Sequence, residues 1–366
     1  MRFILNCYTR HKVIFNLIFL LAFLYLFIFS LELMGTSLKL FGKGFATTLI
    51  KTTTNPLVGL FIGILATSII QSSSSTTSIV VGLVAGGALN IANAIPIIMG
   101  ANIGTSVTNT LASMTQINRS LEFKRSFSAA IVHDFFNLLA VLVLFPLQYF
   151  TNYLGHAATF MGNEFQHIGG LKFLSPVKAI TKPVVAVIKN LIGDHPWILL
   201  ALALFCLLLS LTMMVKSLKI LIVSKAEGLF DRYLFKTAFR AFFVGLLITV
   251  LVQSSSITTS LAVPLAGAGL LTLIQIFPYT MGANIGTTIT AILAALVTGN
   301  VSAIIVAFSH LLFNISGIII WWPLRSVPIF FAQKFAHFST RNKLIPIFYI
   351  GIAFFFLPIL LIYIFR

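Results

Sequence analysis

Acidic residues are scarce in this chain: seven Asp and Glu stand against 24 Lys and Arg in 366 residues. Charged residues make up 8% of the chain, where a soluble globular domain carries about a quarter, so a hydrated globular surface is excluded. The scarcity extends to chemistry. There is no carboxylate pair, no nucleophile beside a base, no metal-spaced cluster and no Gly-rich phosphate loop. The chain is therefore not read as an enzyme, and no cofactor or resident metal is expected. The two cysteines, Cys7 in a basic N-terminal stretch and Cys206 inside an apolar run, can form neither an exported disulfide framework nor a thiolate metal site.

What is present is hydrocarbon. Apolar residues account for 58% of the chain, with 36 Phe and long Leu, Ile and Val runs, as expected of an all-α polytopic membrane protein. The net charge of +17 would suggest nucleic acid in a soluble protein, but here basic loops on the cytoplasmic side serve membrane insertion. No nucleic-acid partner is expected, and the lipid bilayer is.

The organising element is a polar octet that occurs twice. Gln71-Ser72-Ser73-Ser74-Ser75-Thr76-Thr77-Ser78 returns, 182 residues on, as Gln253-Ser254-Ser255-Ser256-Ile257-Thr258-Thr259-Ser260. At the same offset, Met99-Gly100-Ala101-Asn102-Ile103-Gly104-Thr105 returns as Met281-Gly282-Ala283-Asn284-Ile285-Gly286-Thr287. Unsatisfied polar groups cost several kcal/mol, roughly, in hydrocarbon, so such runs must be buried in protein or line a wet cavity.

The run Leu57 to Ile70 is about 21 Å as a helix, too short to cross a core of roughly 30 Å, so the first octet is expected at the tip of a re-entrant hairpin. The chain then divides as a cytoplasmic N-terminal tail, 1–12, and a first repeat, 13–150. That repeat holds a retained first span, a hairpin 57–90, a helix 91–114 interrupted at Gly100 and Gly104, and a span 129–150. An extracytoplasmic loop, 151–195, follows. The second repeat, 196–324, holds a span, a hairpin 241–273, a broken helix 274–297 and a span 303–324. Residues 325–366 form a basic segment and a last span, and 216–240, with six Lys or Arg, reads as an interfacial amphipathic helix. Of the resulting seven crossings, an inside start places 16 of the 24 Lys and Arg on the cytoplasmic face. The two hairpins then open to opposite sides, which is the inverted-topology plan of secondary transporters, with the site at the midplane.

Small hydroxylated residues also help membrane helices pack. Two octets at the ends of half-length helices argue further. The returning half-helix offers free N–H groups and a positive dipole end to an anion, and the hydroxyls can donate to phosphate oxygens or present lone pairs to a cation. Glycine pairs permit close helix approach. They also unwind helices and free carbonyls, and Asn102, Asn284, Thr105 and Thr287 add neutral oxygens of the kind a hard cation such as Na⁺ takes. His133 and Asn137 share a helix face, as do His310 and Asn314, and interhelical hydrogen bonding competes with ligand binding as their role. Asp134, whose counterpart is Leu311, is a candidate for proton handling or coupling. The residues alone support an anion taken with a hard cation.

The runs QSSSSTTSIVVGLV (71–84), AIPIIMGANIGTSVTNTLA (94–112), EFKRSFSAAIVHDFFN (122–137), KAITKP (178–183), QSSSITTSLAVPLAG (253–267), MGANIGTTITAILAALV (281–297) and SHLLFNISGIIIWWPL (309–324) closely resemble the type II sodium-dependent phosphate cotransporter family, in its order, over about 270 residues. The resemblance implies an inverted-repeat carrier that moves inorganic phosphate with Na⁺ by alternating access across the plasma membrane. In it Gln71, Ser72, Ser73, Ser74, Gln253, Ser254, Ser255 and Ser256 bind phosphate. Gln71, Ser74, Asn102, Thr105, Thr258, Thr259, Asn284 and Thr287 lie near sodium. The short outer loop, without cysteines or a glycosylation acceptor, and the single span after the second repeat depart from the animal members and point to a bacterial one. A carrier of another oxyanion, or one coupled to H⁺ through Asp134, is the nearest alternative, and a channel or phosphate-responsive scaffold a more distant one.

Overall fold

The computed structural model describes residues 2–167, 175–226 and 235–366. Among them there is no strand. Helix α1, Arg2–Leu40, is continuous, so residues 2–12, expected as a separate tail, extend the first span's helix. A short helix α2, Gly42–Thr52, meets α3, Pro56–Ile70, at a bend of 95°. The bend is written locally: Asn55 is extended and its Oδ1 accepts the Leu57 N–H at 3.0 Å, while Pro56 occupies the first helical position, where it forfeits no hydrogen bond. Helix α4, Ser73–Ala85, follows after two residues, then α5, Ile91–Gly104, α6, Val107–Ser113, and the long α7, Ser120–Thr151.

The second half continues with α8, Tyr153–His167, α9, Ser175–Ile192, and α10, Pro196–Ala226. It proceeds through α11, Ala238–Val252, α12, Ser255–Gly267, α13, Leu273–Thr298, α14, Val301–Trp321, and α15, Ser326–Ser339. The last span is α16, Leu344–Gly351, and α17, Leu357–Phe365, joined through a π-helical turn. Seven of the described helical segments are long and apolar enough to cross a membrane, and they coincide with the seven expected crossings. Their outward faces carry large exposed apolar side chains such as Leu142, Phe205 and Ile319, the surface that lipid covers. The chain is a multi-pass membrane protein.

Three expectations are corrected, and the basic segment after the second repeat is given its structure. The segment 151–195 is mostly helix rather than loop: α8 packs on α14, with Phe165 edge-on to Phe308, and α9 packs on α1. Residues 216–226 continue α10 beyond the span instead of forming a separate interfacial helix; 227–234 lie outside the described residues. The basic segment is chiefly helix α15, held along α7 by Phe127–Phe335 and Phe135–Phe331 ring contacts. The second interrupted helix is not interrupted. Helix α13 runs unbroken for 26 residues, whereas the first half breaks at Thr105–Ser106, beyond Gly104.

Glycine explains the unbroken helix. A Cβ on Gly100 would overlap the Leu60 carbonyl oxygen, and one on Gly63 the Ile97 carbonyl oxygen, so α3 and α5 touch backbone to backbone. Gly245 against Tyr279 and Gly282 against Phe242 do the same for α11 and α13. These glycines serve close approach, not unwinding, and each short helix is thereby pressed onto a spanning one.

Candidate functional site: two capped helix tips and a crossed asparagine network

At about 22 Å, α3 stops short of a bilayer's thickness. It ends at Gln71, whose φ of 57° and ψ of 27° are left-handed and whose N–H reaches the Thr67 oxygen at 2.7 Å. Ser72 is extended and caps α4, its Oγ accepting the Ser75 N–H at 3.2 Å and the Ser75 hydroxyl at 2.9 Å. The second octet repeats the turn. Gln253 has φ 54° and ψ 28°, its N–H bonds the Thr249 oxygen at 2.6 Å, and Ser254 Oγ caps α12 at the Ile257 N–H, 3.4 Å. Gln71, Asn152 and Gln253 are the non-glycine residues with positive φ among those described. Such a conformation costs on the order of 1–3 kcal/mol and persists where the surroundings impose it, often at functional sites.

The two tips meet: Ser74 Oγ donates to the Gln253 carbonyl at 3.4 Å. In each of α4 and α12 the first intrahelical bond is made by a threonine, Thr76 N–H to Ser72 O and Thr258 N–H to Ser254 O, both at 3.1 Å. The N–H groups of Ser73, Ser74, Ser255 and Ser256 precede it and carry the positive helix ends. The serines are buried, Ser74 at 5% and Ser256 at 7%, while Gln71 is exposed within its turn. The threonine hydroxyls donate backward along their own helices: Thr76 to Ser72 O, Thr258 to Ser254 O, Thr259 to Ser255 O, Thr105 to Ala101 O and Thr287 to Ala283 O. A hydroxyl whose proton is spent this way presents only lone pairs outward, which suits a cation.

Below the tips Asn102 and Asn284 are each held from the other half. His133 Nε2 donates to Asn284 Oδ1 at 2.6 Å, and His310 Nε2 to Asn102 Oδ1 at 3.3 Å. Asn137 Nδ2 bonds the Asn102 carbonyl at 2.8 Å, and Asn314 Nδ2 the Asn284 carbonyl at 3.2 Å. Asn284 Nδ2 closes the set onto Asn137 Oδ1 at 2.9 Å. His133 and Asn137 thus act through interhelical bonds, aimed at the asparagines that the sequence marks for a cation.

Asp134 belongs to neither group. It is buried, and its Oδ2 accepts Tyr349 OH at 3.1 Å and Thr110 Oγ1 at 3.4 Å, tying α7 to the last span and to α6.

Two partners of the second tip escape a reading based on duplication. Asn109 Oδ1 accepts from Ser260 at 2.9 Å and stands as close to Thr259 Oγ1, competing with the Ser255 carbonyl for its one proton, and Tyr279 OH donates to the Thr258 carbonyl at 2.8 Å. Their register counterparts are Ala291 and Ile97, so the repeat carries no signal for them. The first octet lacks the equivalent support: Thr77 Oγ1 and Ser78 Oγ are buried without a partner. Asn109→Ala should take from half-buried Ser260 its hydrogen-bond partner, leave Thr259 bonded to the Ser255 carbonyl, and lower stability by about 1 kcal/mol, read as a drop in apparent melting temperature in detergent.

The profile of the Na⁺/Pi-cotransporter family matches residues 26–174 and 206–359. The chain belongs to the Na⁺/Pi-cotransporter family. It is 34% identical to sodium-dependent phosphate transport protein 2B of Pongo abelii and of Homo sapiens, over 94% of this chain and 64% of each relative. To sodium-dependent phosphate transport protein 2A of Rattus norvegicus it is also 34% identical, over 93% of this chain and 66% of that protein. The chain thus spans just under two thirds of these relatives' length. No solved structure gives a significant match. Both matched blocks contain one octet and one Gly-Asn-Gly-Thr element, so family membership and duplicated apparatus refer to the same residues.

Proposed function

We propose that this protein is a secondary active transporter that brings inorganic phosphate into the cell together with Na⁺. The observation that carries the reading is the meeting of the two tips, where Ser74 Oγ reaches the Gln253 carbonyl and brings the first turns of α4 and α12 together. Helix N-termini favour an anion, and serine hydroxyls add donors for its oxygens. No Asp or Glu occurs in either octet or Gly-rich element, so the cations that complement the site must be supplied with the anion, which is a reason for coupling. The names of the relatives give the pair, sodium and phosphate.

In this reading the two Gln-Ser-Ser-Ser segments hold phosphate. The outward lone pairs of Thr258, Thr259, Thr105 and Thr287, with Asn102 and Asn284, attend sodium. The two halves are inverted repeats in the plasma membrane with a cytoplasmic N-terminus, and they alternate access to a midplane site. The fully loaded site crosses because its charges offset one another, and a partly loaded one stays. Asp134, a buried carboxyl outside both octets that accepts from Tyr349 and Thr110, favours a second reading, in which a proton replaces sodium.

Radiolabelled phosphate uptake into proteoliposomes containing only the purified chain tests both. Uptake under an inward Na⁺ gradient should exceed that under a K⁺ gradient at least tenfold. Equal uptake in the two, driven by an inward proton gradient and lost in Asp134→Asn, would transfer the coupling to Asp134 and leave the anion site standing.

A further inference from the structure

Away from the tips, α7, α15 and the connection from α12 to α13 enclose a half-open cavity of about 680 Å³. Two stripes of identical helical spacing line it: residues 121, 124, 125 and 128 on α7, and 330, 333, 334 and 337 on α15. Lys124 and Arg125 face Lys334 and His337 across it, and Gly269 and Thr272 contribute the end wall. None of the described acidic residues lies within ion-pairing distance of these lysines or this arginine; nearby Glu122 is engaged by Arg119 at 3.0 Å. Lys334 is steadied instead over the Phe330 ring, 5.5 Å from its centre.

The cavity's place fits lipid better than a dissolved ion. The segment Ile91–Gln116 ends at this face, and Ser120–Thr151 and Leu273–Thr298 begin at it, so the cavity sits at the rim of the spanning bundle. Gln116 packs its Oε1 against Gly267, the neighbour of the lining residue Ala266. Among the cavity's lining residues, Leu121 and Phe330 expose 62% and 52% of their surface, so cations and acyl-chain-sized apolar surface share one opening. Dissolved phosphate has no use for that apolar rim. A headgroup with its chains attached does, and basic pockets between spans suit anionic headgroups.

We propose that this cavity binds the phosphodiester headgroup of an anionic glycerophospholipid, with Lys124, Arg125 and Lys334 as its cationic contacts and Leu121 and Phe330 against its chains. The site is separate from the transport tips and does not depend on the transported ion.

Native mass spectrometry of the full chain, purified in detergent and titrated with phosphatidylglycerol, phosphatidylcholine or inorganic phosphate, tests this. Wild type should retain phosphatidylglycerol and not phosphatidylcholine. The triple variant Lys124→Gln/Arg125→Gln/Lys334→Gln should bind it about a hundredfold more weakly, since each cation near an anionic lipid contributes about fivefold. Lys334→Gln alone, on the exposed face of α15, should lose about fivefold and guards against misfolding of the triple. Lys39→Gln/Lys51→Gln/Lys189→Gln, the same charge removed elsewhere, should bind as wild type does. Retention unchanged in the triple and single variants would overturn the proposal. Displacement of phosphatidylglycerol by inorganic phosphate in wild type would overturn it too, assigning the cavity to a dissolved anion.

Discussion

Replacing Gln71 and Gln253 together by glycine should abolish phosphate uptake while leaving a folded, correctly inserted protein. Both residues hold left-handed backbone angles, which glycine adopts freely. The substitution therefore relieves local strain on the order of 1–3 kcal/mol per site, offset in part by glycine's larger entropy in the unfolded chain. Thermal stability in detergent should change little. In the proposed phosphate site, each lost charge-assisted hydrogen bond costs about 1.5–3 kcal/mol, so the pair should weaken binding at least a hundredfold. Binding calorimetry and proteoliposome uptake measure the two sides of the comparison. Full uptake by the double variant would show that the glutamines serve only to turn the chain, whereas loss of folded protein would show that their side chains hold the tips together. Ser74→Ala makes the complementary case at the point of contact, removing one donor and the bond between tips, with a smaller expected loss.

The second large effect is structural. Gly100→Val should prevent accumulation of folded protein, because the new side chain would enter the Leu60 carbonyl with backbone on both sides of the contact. Overpacking costs typically 1–3 kcal/mol when side chains can yield, and here none is available to yield, so the cost should exceed about 3 kcal/mol. Gly282→Val should do the same against Phe242. Gly351→Ala, in a helix with open space around it, is the control and should be neutral or mildly stabilising. Monodisperse recovery by fluorescence-detected size exclusion distinguishes these outcomes. A well-folded Gly100→Val would mean that α3 and α5 can separate at little cost, contrary to their backbone contact.

The sequence was legible where its signal was long or repeated. Seven apolar runs located the spanning helices, and the octets marked the stretch where each half-length helix stops, though not that Gln71 and Gln253 make the turns. It was misread where hydropathy averages over opposing faces. The segment 151–195 is hydrophilic overall, yet α8 buries Leu154 and Ala158 and leaves its polar face outward. Glycine was ambiguous in principle, since the same residue permits unwinding and close approach, and only the positions of the Leu60 and Phe242 carbonyls decide between them. In the site, the His–Asn network was visible as two matching pairs, but its crossed wiring was not, because sequence separation carries no sense of which helix lies opposite. Asn109 and Tyr279 were invisible for a different reason: a reading built on what recurs cannot see what one copy has alone.

The crossed wiring has a consequence for how such a chain could arise. Each half offers a histidine that only the other half's asparagine satisfies, and each octet's helix packs on the opposite half, α4 on α13 and α12 on α6 and α7. A half expressed alone would leave its imidazole Nε2 without an acceptor and its Asn102 or Asn284 side-chain oxygen without a donor. The smallest ancestor able to use this arrangement is therefore a pair of half-length chains rather than one, and fusion would have changed the connection between them more than the contacts. Once fused, the copies were free to differ, and the Asn109 support under only the second tip is a difference that two identical subunits could not have carried.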